Sequence, residues 1–201
     1  MTKPKILLTR KWPAPVEAVL SERFAATLNA ADTAMTGEEI RAALDAYDAV
    51  LPTVTDKLTA EVLAKPGRTK MLGNFGVGFN HIDVAAAKAA DLVVTNTPGV
   101  LTDATADIAL TLMLNVMRRT HEGETMLRAG GWDGWRPTQL MGTSPQGKTL
   151  GIVGMGRIGK AMAKRCHHAL DMEVVFYDAF PVADPGVPAR QLETVDAVLE
   201  A

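Results

Sequence analysis

Gly154-x-Gly156-x-x-Gly159 is the pattern in this chain best placed to do chemistry. It follows the apolar run Thr149-Leu-Gly-Ile-Val153 and opens a helical pattern that runs on through Ala163. Each glycine has its own duty. Gly154 allows a tight turn out of a strand, Gly156 removes a side chain so that backbone can approach a pyrophosphate, and Gly159 lets the helix pack close to the sheet. The helix N-terminus then offers unpaired N–H groups and a positive dipole end to phosphates. A second apolar run, Glu173-Val-Val-Phe-Tyr177, finishes in Asp178. That acid lies about 20 residues past the last glycine, where a carboxylate accepts hydrogen bonds from ribose hydroxyls. Glycine-rich strand–helix turns also occur in α/β domains that bind no nucleotide. Here the strand, the spacing and the acid occur together, and they predict a dinucleotide site.

The elements before this site alternate from the start. Lys5 to Thr9 reads as a buried strand. Pro15 opens an amphipathic run from Val16 to Leu28, with Val16, Val19, Leu20 and Phe24 on one face. Thr36-Gly-Glu-Glu39 is a capping-box pattern ahead of Ile40. Ala49 to Leu51 reads as a strand, and Thr55 or Asp56 as the cap of a helix stopping before Lys65-Pro66-Gly67. Thr69 to Phe75 and Leu92 to Thr95 read as further strands around an alanine-rich helix from Ile82 to Ala90. Such alternation predicts an α/β fold with parallel sheets. After Pro98-Gly99 one long helix is predicted over residues 102–129, followed by a loop carrying Trp132 and Trp135. That loop reads equally as a surface flap or as an arm buried by a second subunit. A complete α/β unit of about one hundred residues thus precedes the fingerprint, so a cleft between two domains is expected.

Composition narrows the classes. A net charge of -2 gives no electrostatic reason to expect nucleic acid or an anionic membrane as partner. The single cysteine, Cys166, excludes an intrachain disulfide framework and reads as a buried structural thiol. No signal-peptide pattern or membrane-length apolar stretch is seen, so a cytoplasmic location is expected. The four histidines have no partners at metal-ligand spacing, and no metal is expected. His81 reads as a surface or capping residue, Asp83 as a helix cap, and His121, His167 and His168 as exposed helical positions.

The chain resembles the D-isomer-specific 2-hydroxyacid dehydrogenases over essentially its whole length, nearest to the glyoxylate/hydroxypyruvate reductase branch. The resemblance rests on Asn74-Phe-Gly-Val-Gly-Phe-Asn-His-Ile-Asp83, Thr95-Asn-Thr-Pro-Gly-Val-Leu-Thr-Asp-Ala-Thr-Ala-Asp107, Gly130-Gly-Trp-Asp-Gly-Trp135 and Gly147-Lys-Thr-Leu-Gly-Ile-Val-Gly-Met-Gly-Arg-Ile-Gly159. It implies a flavodoxin-like substrate domain over residues 1–98 and the first part of a Rossmann NAD-binding domain over residues 99–201. It implies that Val77 and Gly78 bind the substrate carboxylate, a role a glycine-flanked turn can fill as an anion nest. By the same resemblance Thr105 lies near the nicotinamide, and Arg157 and Ile158 supply the backbone of the phosphate turn between Gly154, Gly156 and Gly159. Asp178 completes the cofactor set and, as an acid, favours NAD over NADP.

The implied activity is hydride transfer between NAD(H) and a small 2-oxo or 2-hydroxy acid such as glyoxylate or hydroxypyruvate; the long apolar helical segment and the Trp132/Trp135 loop predict a homodimer with residues 102–142 forming much of the contact. The family's catalytic arginine, glutamate and histidine are expected beyond residue 201, so no catalytic residue is assigned and the chain by itself is expected to be inactive and poorly stable. A non-enzymatic, NAD-responsive corepressor of the same fold is the alternative. A methyltransferase, which also uses a glycine-rich first turn, would not normally follow a complete α/β unit.

Overall fold

Ile6, Leu7 and Leu8 are buried in succession, the mark of a strand covered on both faces. The computed structural model describes residues 2–201, which divide into a first unit ending at Val100 and a second beginning at Leu101. The first unit runs β1 (Lys5–Leu8), α1 (Ala14–Arg23), β2 (Ala25–Thr27), α2 (Gly37–Ala46), β3 (Ala49–Leu51), α3 (Ala60–Leu63), β4 (Met71–Gly73), α4 (Val84–Ala89) and β5 (Val93–Thr95). Its strands lie in the order β2-β1-β3-β4-β5, all parallel, with Ile6 opposite Ala26 and Ala49 and Leu72 opposite Val50 and Val94. This is the flavodoxin-like order, which gathers ligand-binding loops at the carboxyl ends of the strands. Leu44, Val50, Leu58, Leu63 and Leu72 are fully buried at its centre. Each such side chain contributes about 1.5–3 kcal/mol by leaving water.

Local chemistry sets the helix ends. The Thr36 hydroxyl accepts from Glu39 N at 3.2 Å and the Glu39 carboxylate accepts from Thr36 N at 2.7 Å, the reciprocal pair expected at the start of α2. Asp83 caps α4 by accepting from Ala86 N at 2.9 Å. Elsewhere the structure departs from the sequence reading. The amphipathic run does not reach Leu28: α1 ends at Arg23 with no buried residue, and Ala25–Thr27 becomes the edge strand β2. Thr59, not Thr55 or Asp56, caps α3. Asp56 is instead 2% exposed, accepting from Thr9 Oγ1 at 2.5 Å and Thr53 N at 2.7 Å.

The second unit runs α5 (Thr102–Arg118), α6 (Thr120–Arg128), β6 (Thr149–Val153), α7 (Arg157–Leu170), β7 (Glu173–Tyr177), β8 (Arg190–Gln191) and α8 (Val195–Leu199). The predicted long helix is two helices, because Arg119 takes a left-handed φ of 54° between them. The sheet order is β6-β7-β8, all parallel, with Ile152 opposite Phe176 and Val175 opposite Arg190. Leu150, Ile152, Met155, Ala163, Cys166, Val174 and Phe176 form the core, and Leu110 and Met113 of α5 pack against it. Cys166 is fully buried, and burial pushes its thiol pKa up. Arg165 ties α7 to α5, donating to Asp107 at 2.7 Å and Asp103 at 3.0 Å. The opposite side of α5 carries Ile108, Leu112 and Val116 at four-residue spacing, 60%, 59% and 78% exposed. Among the described residues no helix is long and apolar enough to cross a membrane.

Candidate functional site

In the second unit the chain leaves β6 and turns at Gly154, whose φ of +96° is one that L side chains rarely adopt. Gly154 N donates to Tyr177 O at 2.8 Å, which joins the turn to the end of β7. Gly156 then caps α7 with no side chain to accept a hydrogen bond. As a result the N–H groups of Gly156, Arg157, Ile158 and Gly159 have no partner among the described residues. The first paired one is Lys160 N, on Gly156 O at 2.9 Å. A Cβ at Gly156 would meet nothing within 4 Å. A Cβ at Gly159 would lie 2.2 Å from Gly154 O, so this glycine is what lets α7 approach the turn.

The charges at this helix start are unusual. The first turn of α7 has no acidic residue and begins with Arg157, with Lys160 close behind. Cations at a helix N-terminus oppose the dipole and are disfavoured unless an anion joins them. Open space, unpaired N–H groups and basic side chains together fit a bound diphosphate. Asp178 stands at the end of β7, half-buried. Its Oδ2 accepts from Met155 N at 2.8 Å and its Oδ1 from Phe180 N at 3.2 Å. Each oxygen keeps a further lone pair for a ligand hydroxyl. Thr105 is exposed near the start of α5, the helix that packs along α7.

In the first unit the second candidate site follows β4. Asn74 is 2% exposed, and its Nδ2 donates to Gly76 O at 3.2 Å and Gly78 O at 3.0 Å. Asn96 Nδ2 donates to Val77 O at 2.9 Å, and Thr97 N to Gly76 O at 3.0 Å. The N–H groups of Val77 and Gly78 donate to nothing among the described residues. Gly78 has neither a left-handed φ nor a neighbour within 4 Å of a Cβ, so a larger residue there fills open space without straining the backbone. Trp12 stacks on Phe75 beside this turn, ring centroids 4.7 Å apart.

His81 is not a surface or capping residue. It is half-buried, and its Nε2 lies 2.9 Å from Asn74 Oδ1, an atom that can only accept. Burial lowers its pKa, against the opposing pull of the Asp56 charge. His167 is likewise half-buried, its Nδ1 3.1 Å from Met172 O, whereas His121 and His168 are exposed. Sequence reasoning missed the roles of Asn74 and Asn96. The available signal was an amide side chain at the end of each apolar strand flanking the glycine turn. No group of metal-binding side chains is present among the described residues.

The family model for D-isomer specific 2-hydroxyacid dehydrogenase, catalytic domain, matches residues 6–198. A glyoxylate reductase of Thermofilum pendens is 37% identical over 204 residues, covering 100% of this chain and 60% of that protein. A glycerate dehydrogenase of Hyphomicrobium methylovorum is 39% identical over 181 residues, covering 89% of this chain and 55% of that protein. A solved structure from Polaromonas sp. JS6 66, described as a D-isomer specific 2-hydroxyacid dehydrogenase, NAD-binding, matches with a TM-score of 0.88 at 37% identity, covering 98% of this chain and 62% of that one. An NADPH-dependent glyoxylate/hydroxypyruvate reductase from Sinorhizobium meliloti, in complex with citrate, matches with a TM-score of 0.82 at 30% identity, covering 98% and 61%. The chain therefore spans between 55% and 62% of the length of these relatives.

Proposed function

The chain belongs to the D-isomer specific 2-hydroxyacid dehydrogenases, and from that premise we propose that it holds NAD(H) at the glycine turn and the carboxylate of a small 2-oxo or 2-hydroxy acid at the turn of residues 76–78. Glyoxylate and hydroxypyruvate are the proposed substrates, in line with the names of its relatives. The observation that carries the reading is the run of unpaired N–H groups from Gly156 to Gly159, with open space at Gly156 and with Arg157 and Lys160 in the same turn. Bound NADH supplies the hydride to the substrate's C2 carbon.

The residues of this chain bind and orient. Gly156, Arg157, Ile158 and Gly159 offer backbone N–H groups to the diphosphate, and the Arg157 guanidinium adds charge. Gly154 shapes the turn that presents them. Asp178 takes the ribose hydroxyls on its free lone pairs. A 2′-phosphate there would meet a carboxylate at close range, and no arginine follows in Ala179-Phe-Pro-Val-Ala183. Thr105 borders the nicotinamide end by family resemblance. Val77 and Gly78 hold the substrate carboxylate through N–H groups. No proton-transfer step is assigned to residues 1–201. The exposed stripe Ile108, Leu112 and Val116, with the Trp132 and Trp135 loop, supports a homodimer built on residues 102–142.

Parallel titrations of the chain with NADH and NADPH test the cofactor assignment. NADH should bind at least about tenfold more tightly, a difference of about 1.4 kcal/mol. Equal or tighter binding of NADPH would refute the assignment to Asp178. Binding of neither by a chain shown to be folded by circular dichroism would refute the site.

A further inference from the structure

The peptide geometry of residues 76–78 has a specific cause. Across a trans peptide the carbonyl of one residue and the N–H of the next point in opposite directions. No cis peptide is present among the described residues. Gly76 O is drawn inward by Asn74 Nδ2 at 3.2 Å and Thr97 N at 3.0 Å, which turns the Val77 N–H outward. Val77 O is held by Asn96 Nδ2 at 2.9 Å, which turns the Gly78 N–H outward in the same way. Asn74 also holds Gly78 O at 3.0 Å, closing the turn from its far end. Both outward N–H groups of the carboxylate site therefore owe their direction to two amide side chains, Asn74 buried and Asn96 half-buried, that hold the turn's carbonyls.

We propose that Asn74 and Asn96 are the positioning residues of the carboxylate site, with His81 fixing the orientation of the Asn74 amide. The proposal rests on the reading that Val77 and Gly78 receive the substrate carboxylate. Asn74 is suited to the task because its backbone is itself anchored, its N on Thr95 O at 2.9 Å and its O under Gly76 N at 3.1 Å. Its side chain must place both N–H bonds on carbonyls, so its Oδ1 needs a donor. His81 Nε2, at 2.9 Å, is that donor. A neutral ring suffices, with the proton on Nε2, and burial favours the neutral form. Were the Asn74 amide to rotate by half a turn, its oxygen would face the two carbonyls, and the turn would lose both bonds.

The test is an amide-resolved NMR titration of the chain with oxamate, paired with an NADH titration of each variant. In the unsubstituted chain the Val77 and Gly78 amide signals should move saturably. Asn74→Ala and Asn96→Ala should each weaken oxamate binding about tenfold, the scale of one buried hydrogen bond, with NADH affinity unchanged. His81→Leu should weaken it similarly, and His81→Gln, which keeps an N–H donor, should restore it. A merely structural role for His81 predicts no such rescue. Should Asn74→Ala fail to fold, Asn96→Ala and the His81 pair still decide. Oxamate affinity within twofold of the unsubstituted chain in Asn96→Ala and His81→Leu overturns the positioning proposal alone. Absence of any movement at Val77 and Gly78 in the unsubstituted chain overturns the carboxylate site itself and the proposal with it.

Discussion

Gly159→Ala and Gly156→Ala differ by three positions and one methyl group each, and they should fail in opposite ways. At Gly159 the new Cβ would lie 2.2 Å from Gly154 O and 3.3 Å from Ile152 Cγ2. A relaxed carbon–oxygen contact is about 3.3 Å, so α7 must retreat by about 1 Å or the turn must re-form. A retreat lifts Ala163 and Cys166, both fully buried, off the sheet. A gap of about 0.5–1 Å forfeits a quarter to a half of each contact's dispersion energy, and overpacking of this kind typically costs about 1–3 kcal/mol. The better helix propensity of alanine returns at most about 1 kcal/mol. The net expectation is destabilisation of the second unit by about 1–2 kcal/mol, with weaker NADH binding as a by-product. At Gly156 the φ of −74° suits any L residue and nothing lies within 4 Å, so alanine should cost only about 0.5–1 kcal/mol as a poorer helix cap. Its methyl group would occupy the space proposed for the diphosphate, and NADH affinity should fall at least about tenfold. Hydrogen exchange at β6 and α7 amides reads the stability, and fluorescence titration reads the binding. A Gly159→Ala chain with exchange rates and NADH affinity like the parent would refute the close-approach argument. A Gly156→Ala chain that binds NADH normally would refute the diphosphate assignment.

Other outcomes follow from the same structure. Leu112→Glu, in the middle of the exposed stripe of α5, should convert a dimer to a monomer in light scattering at micromolar concentration; a parent chain already monomeric there would count against the interface. Asp48 is held below the ordinary carboxylate range, first by the Arg68 side chain at 2.7 Å and then by Lys5 N at 2.7 Å. Its contribution to stability is therefore fully present above the unfolded value of about 4 and is lost as pH falls through the lower folded value. Thermal unfolding of Asp48→Asn should show less acid sensitivity below pH 4 than the parent, and parallel curves would contradict the assignment.

Much of the fold was legible because the decisive signals are local. The capping box at Thr36, the αL turn demanded of Gly154 and the three apolar residues of β1 each act over a few positions. What stayed hidden depends on distant partners. Ala25–Thr27 carries no pattern of its own and becomes a strand only because β1 offers it an edge. Arg119 breaks a continuous helical pattern by taking an αL conformation that its side-chain type does not advertise. Asp56 resembles a helix cap in sequence, yet its partners are Thr9, from β1's end, and Thr53. The candidate sites divide in the same way. The glycines and Asp178 stand out by spacing, whereas Asn74 and Asn96 bond the backbone of residues 76–78, His81 bonds the Asn74 amide, and none of the three leaves a spacing to read.

The hydrogen bond from Met155 N to Asp178 bears on how cofactor preference can drift over evolutionary time. Met155 is 2% exposed, and its N–H has that carboxylate as its partner. A lineage that simply discarded the acid to admit a 2′-phosphate would also orphan a buried donor in the phosphate turn, at about 1–3 kcal/mol. The passable route runs through a residue that still accepts from Met155 N, such as asparagine or serine. On the proposed reading, Ala179 and Phe180, both exposed on the loop that follows, are the positions where a basic residue would meet the added phosphate. On the proposed reading, a contact that has nothing to do with the ribose thus favours keeping a hydrogen-bond acceptor at position 178.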